Sequence, residues 1–216
     1  MGKLTNGIAG THTGKVGNII SYMLNGQNVT RSVGKNNKPK TVAQKNNMMG
    51  MKLINGFFYQ MYGFVKESFA PSCRGTVYNY QNLYVRYNKP GALKGYYPNL
   101  EIDYSKIIFS VGNLPQPVSA KVERIAEGLK FSWDTTLNCS SPECMDQVMM
   151  MACFPGGLEP DAIFKTRGAT RDQGFDILPL PDFFKNKVME IYMTFISDDR
   201  LDVTNSMYLG RIEPQI

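Results

Sequence analysis

The sequence predicts an α+β protein with a β-ribbon and helices in its N-terminal part and an antiparallel β-sandwich in its C-terminal part. An Asn-Gly pair separates two short apolar segments near the N terminus, as in a hairpin. Apolar residues then recur at three- and four-residue steps between residues 41 and 70, as in a helix. Short apolar segments alternate with turn residues after residue 100. We therefore expect an N-terminal region over residues 1–100 and a sandwich domain over residues 101–216.

The first predicted element is a β-ribbon over residues 14–34. Asn25-Gly26 lies between the apolar segments Ile19–Leu24 and Val29–Val33. Asn and Gly both tolerate the positive φ that the tight turn of a two-residue hairpin requires. The earlier glycines, Gly7, Gly10, Gly14 and Gly17, are expected to serve turns and an open N-terminal arm that leads into the ribbon.

The same segment contains most of a phosphate-binding loop, Ala9-x-x-x-x-Gly14-Lys15. A working loop of this kind follows a buried strand, opens a helix and places Ser or Thr after the lysine to hold magnesium. Here Val16 follows Lys15, and the flanking segments predict neither that strand nor that helix. We therefore do not expect nucleotide binding. The single histidine, His12, is expected to be a solvated loop residue with no acid or nucleophile nearby.

A long helix is predicted over residues 41–70. Thr41 and Gln44 have the spacing of a capping box, in which the threonine oxygen accepts from a first-turn amide and the glutamine reaches back to the cap amide. The apolar stripe that follows predicts that this helix is buried on more than one side. Three glycines interrupt the helix and indicate close backbone approach or a bend, since each costs about 1 kcal/mol relative to alanine: Gly50, Gly56 and Gly63.

A shorter helix is predicted over residues 76–88, with Thr76 as its N-cap and Lys89-Pro-Gly91 as its end. Its tyrosines, which are interleaved with arginines, fit either of two roles. Their rings pack in the core while their hydroxyls reach solvent, or the rings stack on bases or sugars. One face of the predicted helix carries Tyr80, Tyr84 and Tyr87.

Short strands separated by turn residues are predicted for the C-terminal part, which favours an antiparallel sandwich. The predicted strands are 103–110, 119–124, 129–133, 147–154, 162–166, 174–177, 188–197 and 206–212. The alternation of LKFSW places Leu129, Phe131 and Trp133 on one face, where Ile191 and Phe195 can oppose them. The phrase LKFSWD and the strand rhythm resemble an Ig/fibronectin III-like module. That resemblance implies a spacer or binding scaffold and assigns no activity.

Charge is distributed unevenly along the chain. Residues 1–100 carry 13 Lys or Arg and one acid, whereas residues 101–216 carry 11 Lys or Arg and 17 acids. The basic half either faces a polyanion or an acidic partner or packs beside the acidic half and neutralises it. The positive residues expected to contact a polyanion or a partner are Lys15, Arg31, Lys35, Lys38, Lys40 and Lys45.

The sequence predicts no catalytic, cofactor-binding or metal-binding residues, because it contains one histidine and no set of nucleophile and base. Cys139 and Cys144 have a spacing that metal sites use, but four ligands are needed, so reduced thiols are expected and a local disulfide is the alternative. The close acids Asp198, Asp199 and Asp202 are expected to be solvated turn residues, with a calcium or carboxylate-pair role as the alternative.

The most apolar segment, residues 47–65, is expected to be a buried helix and no membrane span, since Lys52, Asn55 and Gln60 interrupt it. The N terminus has no apolar segment of signal-peptide length. We therefore expect a cytoplasmic protein, or one that is associated with a particle without a signal peptide.

Motifs spread along the chain resemble an uncharacterised family, a domain of unknown function found mainly in Bacteroides-type bacteria. They are GKVGN at Gly14–Asn18, Arg31, PKTVAQ at Pro39–Gln44, EIDYSK at Glu101–Lys106, GATR at Gly168–Arg171 and the final IS-D…TNS-x-YLG pattern ending at Gly210. The resemblance implies no established activity, and PKTVAQ is similar to segments in proteins of prophage neighbourhoods. The expected function is a non-enzymatic structural or binding role, with self-assembly or a protein partner. Nucleic-acid binding by the basic half is the alternative.

Overall fold

The computed structural model describes residues 2–4, 10–35, 37–135, 142–155 and 161–214. The chain divides into two compact units, Met1–Thr41 and Val42–Ile216. The division falls at residue 41 and not at the expected residue 100, because the helices that follow Thr41 share a hydrophobic core with later strands. Each unit is described by itself.

The first unit is an antiparallel sheet of four strands in the order β1-β2-β3-β4. The strands are β1 (Lys3–Leu4), β2 (His12–Val16), β3 (Ile19–Leu24) and β4 (Gln27–Ser32). Asn25 and Gly26 form the predicted turn, with φ of 48° and 79°, and the register pairs Leu24 with Gln27. The hairpin prediction is therefore confirmed. The expectations for Ala9 and Gly7 lie outside the described residues.

Four helices belong to the second unit, and no helix of the described ranges is long and apolar enough to cross a membrane. They are α1 (Val42–Gln60), α2 (Tyr62–Cys73), α3 (Tyr80–Asn88) and α4 (Asp182–Lys185). The predicted 41–70 helix is thus two helices that meet at Met61, whose amide donates to Phe58 O in a tighter turn. The predicted cap at Thr76 is wrong. Asn79 caps α3 by accepting from the Asn82 amide at 2.8 Å.

Nine further strands complete the second unit among its described residues. They are β5 (Leu93–Lys94), β6 (Glu101–Ile102), β7 (Lys121–Ile125), β8 (Gly128–Ser132), β9 (Gln147–Phe154), β10 (Asp161–Lys165), β11 (Phe175–Pro179), β12 (Met189–Ile196) and β13 (Met207–Ile212). The predicted strand over 103–110 is wrong. Its first part is a 3-10 turn, Tyr104–Lys106, and Ile108 exchanges two hydrogen bonds of 2.7 and 2.8 Å with the Asn88 side chain instead of a neighbouring strand.

Two antiparallel sheets of the second unit face each other across a hydrophobic core. One has four strands in the order β10-β9-β12-β13, and the other has three in the order β11-β8-β7. Leu129 and Phe131 of β8, and Trp133 directly after that strand, share this core with Ile191 and Phe195 of the larger sheet. The ring centroids of Trp133 and Phe195 are 5.1 Å apart with the rings edge to face. The predicted facing of these residues is therefore confirmed, as is the mixed α+β class.

The central strands of the larger sheet, β9 and β12, are buried on both faces, because the second face of the sheet packs against α1, α2 and α3. All eight residues of β12 are buried, and so are all residues of β9 except the first. Two residues of β12 on the helix side are polar. Glu190 accepts from the Tyr208 hydroxyl at 2.5 Å, and the hydroxyls of Thr194 and Thr204 are 2.9 Å apart.

The glycines of the predicted helix fall into two groups. A Cβ on Gly50 would lie 2.9 Å from a Leu93 methyl carbon, and one on Gly63 would lie 2.9 Å from the Phe164 ring. Close approach is therefore confirmed at these two positions. A Cβ on Gly56 would meet nothing within 4 Å, so close approach does not explain this glycine, and the alternative of a bend stays a prediction there.

Candidate interaction surface

The entire net charge of the chain resides in the first unit. Met1–Thr41 contain six Lys or Arg and no acid, whereas Val42–Ile216 contain 18 basic and 18 acidic residues and have no net charge. Such a concentration of one sign produces a positive potential over the sheet and over the segment that follows it. The first unit therefore carries positive charge alone, whereas the second unit balances a basic segment, residues 42–100 with seven Lys or Arg and one acid, against its acidic remainder.

Lys15 and Arg31 lie in one cross-strand row. Ile20 of β3 pairs with Lys15 of β2 on one side and with Arg31 of β4 on the other. Cross-strand partners project from the same face of a sheet, and two strand spacings separate the two backbones by about 10 Å. At that distance in water, their repulsion is about 0.4 kcal/mol. An acidic group placed between them relieves this repulsion.

Apolar side chains continue this face of the sheet. Tyr22 pairs with Val29 in a neighbouring row, and the Arg31 guanidinium carbon lies 5.8 Å from the centroid of the Tyr22 ring. We call the five side chains Lys15, Ile20, Tyr22, Val29 and Arg31 the basic face. Ile20, Tyr22 and Val29 are only partly buried, so the centre of this face is apolar and accessible.

The opposite face carries a small hydrogen-bonded group. The Ser21 hydroxyl lies 2.7 Å from His12 Nε2 and 2.7 Å from the Thr30 hydroxyl. The expectation for His12 is therefore wrong, since it belongs to β2 and contacts a hydroxyl. Ser21 is fully buried and lacks access to a substrate. The group consequently ties β2, β3 and β4 together.

The first unit has almost no core of its own. Ser21 is the one buried residue among those described in Met1–Thr41. Large apolar side chains of the unit are instead 40% exposed or more: Leu4, Val16, Ile19, Met23 and Leu24. By the strand register, Leu4, Val16, Ile19 and Met23 lie on the face of Ser21, and Leu24 lies on the basic face. A sheet normally buries at least one face against another layer, so exposed apolar side chains on both faces mark interaction surfaces.

The other predicted contact residues are not assembled into the basic face. Lys35, Lys38 and Lys40 are exposed and follow β4 in the segment that leads to Thr41. Lys45 belongs to α1 in the second unit, where its ammonium nitrogen lies 5.6 Å from the centroid of the Tyr97 ring. Of the six predicted residues, the sheet register brings together Lys15 and Arg31.

The tyrosines of the helices divide between the core and the surface. Tyr84 is fully buried in the core beneath the helices. The hydroxyls of Tyr62 and Tyr80 form a hydrogen bond of 2.7 Å on the surface. The guanidinium carbon of Arg86 lies 5.7 Å from the centroid of the exposed Tyr78 ring. The core alternative therefore describes Tyr84, whereas Tyr78 has the arrangement of a stacking residue.

The neighbouring acids between β12 and β13 support a turn. Asp199 accepts from the Ser197 hydroxyl at 2.6 Å and the Leu201 amide at 2.9 Å, and these bonds lower the pKa of its carboxyl. Asp202 accepts from the amides of Val203 and Asn113. Hydrogen bonds to the charged form account for the lowered pKa.

The cysteines are not arranged for reactivity where the structure describes them. Cys153 is fully buried next to Met61, with the sulfur atoms 3.3 Å apart, and burial raises the pKa of its thiol well above the ordinary value. Such a thiol is a poor nucleophile at neutral pH. No group of three or more metal-ligating side chains occurs among the described residues. Cys139 lies outside them.

The second unit also has a cavity of about 680 Å³ beside the end of α1. It is lined mainly by apolar residues that include Ile163, Leu180 and Phe184. Gln60 lines it as well, and its buried Oε1 has no hydrogen-bond partner in the described part of the chain. The cavity carries no cluster of titratable groups.

Fold and surface together define a class, an α+β protein in which a helix-covered pair of sheets is joined to a small, basic and exposed sheet. The chain belongs to the family of unknown function DUF6266, whose model matches residues 10–210. The match contains all the motifs that suggested an uncharacterised family. No curated protein and no solved structure matches the chain.

Sequence reasoning missed the apolar part of the basic face and the group around Ser21. The signal was present in the Asn25-Gly26 turn. A two-residue hairpin fixes the register as Leu24 opposite Gln27. Counting back from that pair places Ser21 opposite Thr30 and Ile20 opposite Arg31.

Proposed function

We propose that the protein is a non-enzymatic binding protein whose N-terminal sheet docks on an acidic protein surface. The observation that carries this proposal is that the six positive charges without an acid belong to a unit with a single buried residue among those described, and that its sheet places Lys15 and Arg31 on one face. The apolar centre of the basic face is only partly buried, and a partner covers it. The six positive charges select an acidic partner and accelerate its approach.

The composition of the basic face supports a protein partner. Ile20 and Val29 offer aliphatic surface, and Tyr22 offers an aromatic ring with a polar end. Interfaces between proteins have an apolar centre with aromatic and arginine residues. Lys15 and Arg31 flank this centre and meet carboxylates at its edge.

Nucleic acid is the second candidate partner. The observation in its favour is the Arg31 guanidinium beside the Tyr22 ring, a pair that stacks on bases in single-strand binding. The aliphatic side chains of the basic face, Ile20 and Val29, have no counterpart on a phosphate backbone. We therefore rank nucleic acid below an acidic protein.

We infer an Ig/fibronectin III-like role for the paired sheets of the second unit. The seven strands β7 to β13 are divided into a three-stranded and a four-stranded sheet that pair strands distant in sequence, as sandwiches of this class do. In this proposal the sandwich is a scaffold that carries the basic sheet. Self-assembly, association with a phage-like particle and a location in the cytoplasm are the settings that we propose for this scaffold.

Charge reversal tests the proposal. The variant Lys15→Glu/Arg31→Glu changes two residues of the basic face, and Lys52→Glu/Lys121→Glu changes the net charge equally from exposed positions of the second unit. The probes are a synthetic peptide in which Glu and Val alternate and a DNA oligonucleotide of equal charge, each titrated over a salt series. We expect the first variant to weaken peptide binding by about tenfold or more and the second to change it little.

Three results contradict the proposal. Equal losses in both variants mean that net charge alone attracts the peptide. DNA binding that is tighter than peptide binding and depends on Arg31 favours the second candidate. A mass that grows with concentration in light scattering, and is unchanged by peptide, identifies a second copy as the partner.

A further inference from the structure

We propose that the acidic partner binds as an added strand along the free edge of β4, a step that rests on the proposed function and specifies its geometry. Within the described part of the chain, β4 pairs with β3 alone and stands at the end of its sheet. All six of its residues pair with β3 without a register shift. The strand is therefore straight enough to act as a template on its other side.

The register identifies which backbone groups point outward. Leu24 and Gln27 close a two-residue hairpin, so they form a hydrogen-bonded pair, and such pairs alternate along an antiparallel ladder. Val33 donates to Asn18 O at 2.8 Å, as the same alternation requires. The N–H and C=O groups of Asn28, Thr30 and Ser32 consequently point away from β3.

Of the devices that normally block strand addition, the edge of β4 has only the charge of Arg31. Proteins protect exposed edges with proline, lysine, bulges or very short strands. β4 contains no proline or lysine and has no bulge, and its residues are exposed except for Val29, which is partly buried. The outer edge strand at the opposite side, β1, has two residues.

The side chains beside this edge specify the occupant. Val29 and Arg31 project from the basic face and would lie in the close, non-hydrogen-bonded positions opposite an added antiparallel strand. The residue across from Arg31 should therefore be acidic, and the one across from Val29 should be apolar. A second copy of the unit is disfavoured, because it brings six further positive charges to the same edge.

A hexapeptide with the sequence Thr-Glu-Thr-Val-Thr-Glu fits this pattern. In the antiparallel register its first Glu faces Arg31, its Val faces Val29, and its three Thr residues face the outward groups of β4. Methylation of the three Thr amide nitrogens removes the donors that face β4. Methylation at the Glu and Val nitrogens changes the other edge of the peptide and serves as the matched control.

The experiment is an NMR titration of the isotope-labelled full chain with these peptides at low salt. We expect the unmodified and control peptides to shift the amides of Asn28, Thr30 and Ser32 and to slow their hydrogen exchange. Methylation at the Thr nitrogens should weaken binding by about tenfold or more, because three hydrogen bonds are lost.

Ser32→Pro supplies the reciprocal test on the protein. Proline at this position removes an outward N–H and leaves the bonds to β3 intact, whereas Ser32→Thr retains the donor. We expect the proline variant to lose most of the peptide affinity and the threonine variant to retain it. If the proline variant fails to fold, the methylated peptides still decide the outcome.

The results separate this inference from the proposed function. Binding that depends on Lys15 and Arg31 but is indifferent to both methylation patterns overturns strand addition and leaves the proposed function standing. The same holds if the hexapeptide fails while the alternating Glu and Val peptide still binds. Loss of binding by every acidic peptide at low salt overturns both. Concentration-dependent dimerisation abolished by Ser32→Pro would instead assign the edge to a second copy.

Discussion

The buried ion pair between Arg171 and Asp146 should dominate the response of the second unit to mutation. Arg171 is 2% exposed and Asp146 is 3% exposed. The Arg171 Nη2 donates to Asp146 Oδ2 at 3.2 Å and to Pro115 O at 3.0 Å, and the guanidinium carbon lies 4.3 Å from the centroid of the Phe195 ring. Removal of either charge therefore breaks a buried ion pair.

We expect Asp146→Leu and Arg171→Met each to lower the free energy of unfolding by about 3–5 kcal/mol, the range for a buried charge that loses its partner. The double variant removes both charges and should recover most of this loss. It still lacks the hydrogen bond to Pro115, which accounts for a remaining loss of about 1 kcal/mol.

Trp133 provides the assay, because it is the only tryptophan of the chain and its indole N–H donates to Arg171 O at 2.7 Å. Urea unfolding followed by its fluorescence gives the four free energies of the double-mutant cycle. Circular dichroism serves as the control that the whole unit unfolds in the same transition. A double variant whose loss equals the sum of the two single losses would refute the reasoning.

Three further predictions concern single side chains. Tyr84→Phe should raise the free energy of unfolding by about 1 kcal/mol, because the buried Tyr84 hydroxyl has no partner among the described residues. Tyr192→Phe should lower it by a similar amount, because this change removes a 2.7 Å hydrogen bond to the Tyr104 backbone oxygen. Urea unfolding measures both effects. Burial raises the pKa of both phenols, so stability is retained below about pH 10 and falls above it as the unfolded tyrosines ionise. Each of the two variants should then reduce that fall by about 1.4 kcal/mol per pH unit, and an unchanged slope would contradict the burial argument. Gly56→Ala should raise the thermal midpoint through a gain of about 1 kcal/mol, whereas Gly50→Ala should not, since a methyl carbon lies 2.9 Å from the added Cβ.

The elements that local chemistry controls could be predicted from the sequence. Asn25-Gly26 requires positive φ, and the turn is found there. The alternation of Leu129, Phe131 and Trp133 predicts a strand with one buried face, and the structure has it. These predictions hold because each depends on neighbours in the sequence and on one pattern of burial.

Elements that depend on distant contacts could not be predicted in the same way. The segment after Asp103 reads as a strand, but the Asn88 side chain satisfies the backbone of Ile108 in place of a neighbouring strand. Thr76 has the chemistry of a cap, yet its hydroxyl donates to Cys73 O at 2.9 Å and Asn79 takes the cap position. In both cases a side chain chosen by the tertiary structure competes with the local pattern.

The candidate surface was predicted in part. Lys15 and Arg31 stand out from charge alone, but their membership of one row depends on the strand register. Lys45 has the same charge and belongs to the other unit. Charge along a sequence thus identifies basic residues, and the sheet register decides which of them act together.

Because both faces of β12 are buried, the register of this strand with its neighbours needs a determinant other than burial. Hydrophobic alternation usually prevents a strand from slipping by one position, because slippage exposes its apolar side. Both faces of β12 lie in apolar surroundings, so a slipped register would not expose apolar side chains to solvent. Glu190 and Thr194 replace it, because a slip by one position would carry them away from Tyr208 and Thr204 and into the mainly apolar layer between the sheets. Two polar side chains therefore fix the register of an otherwise apolar strand.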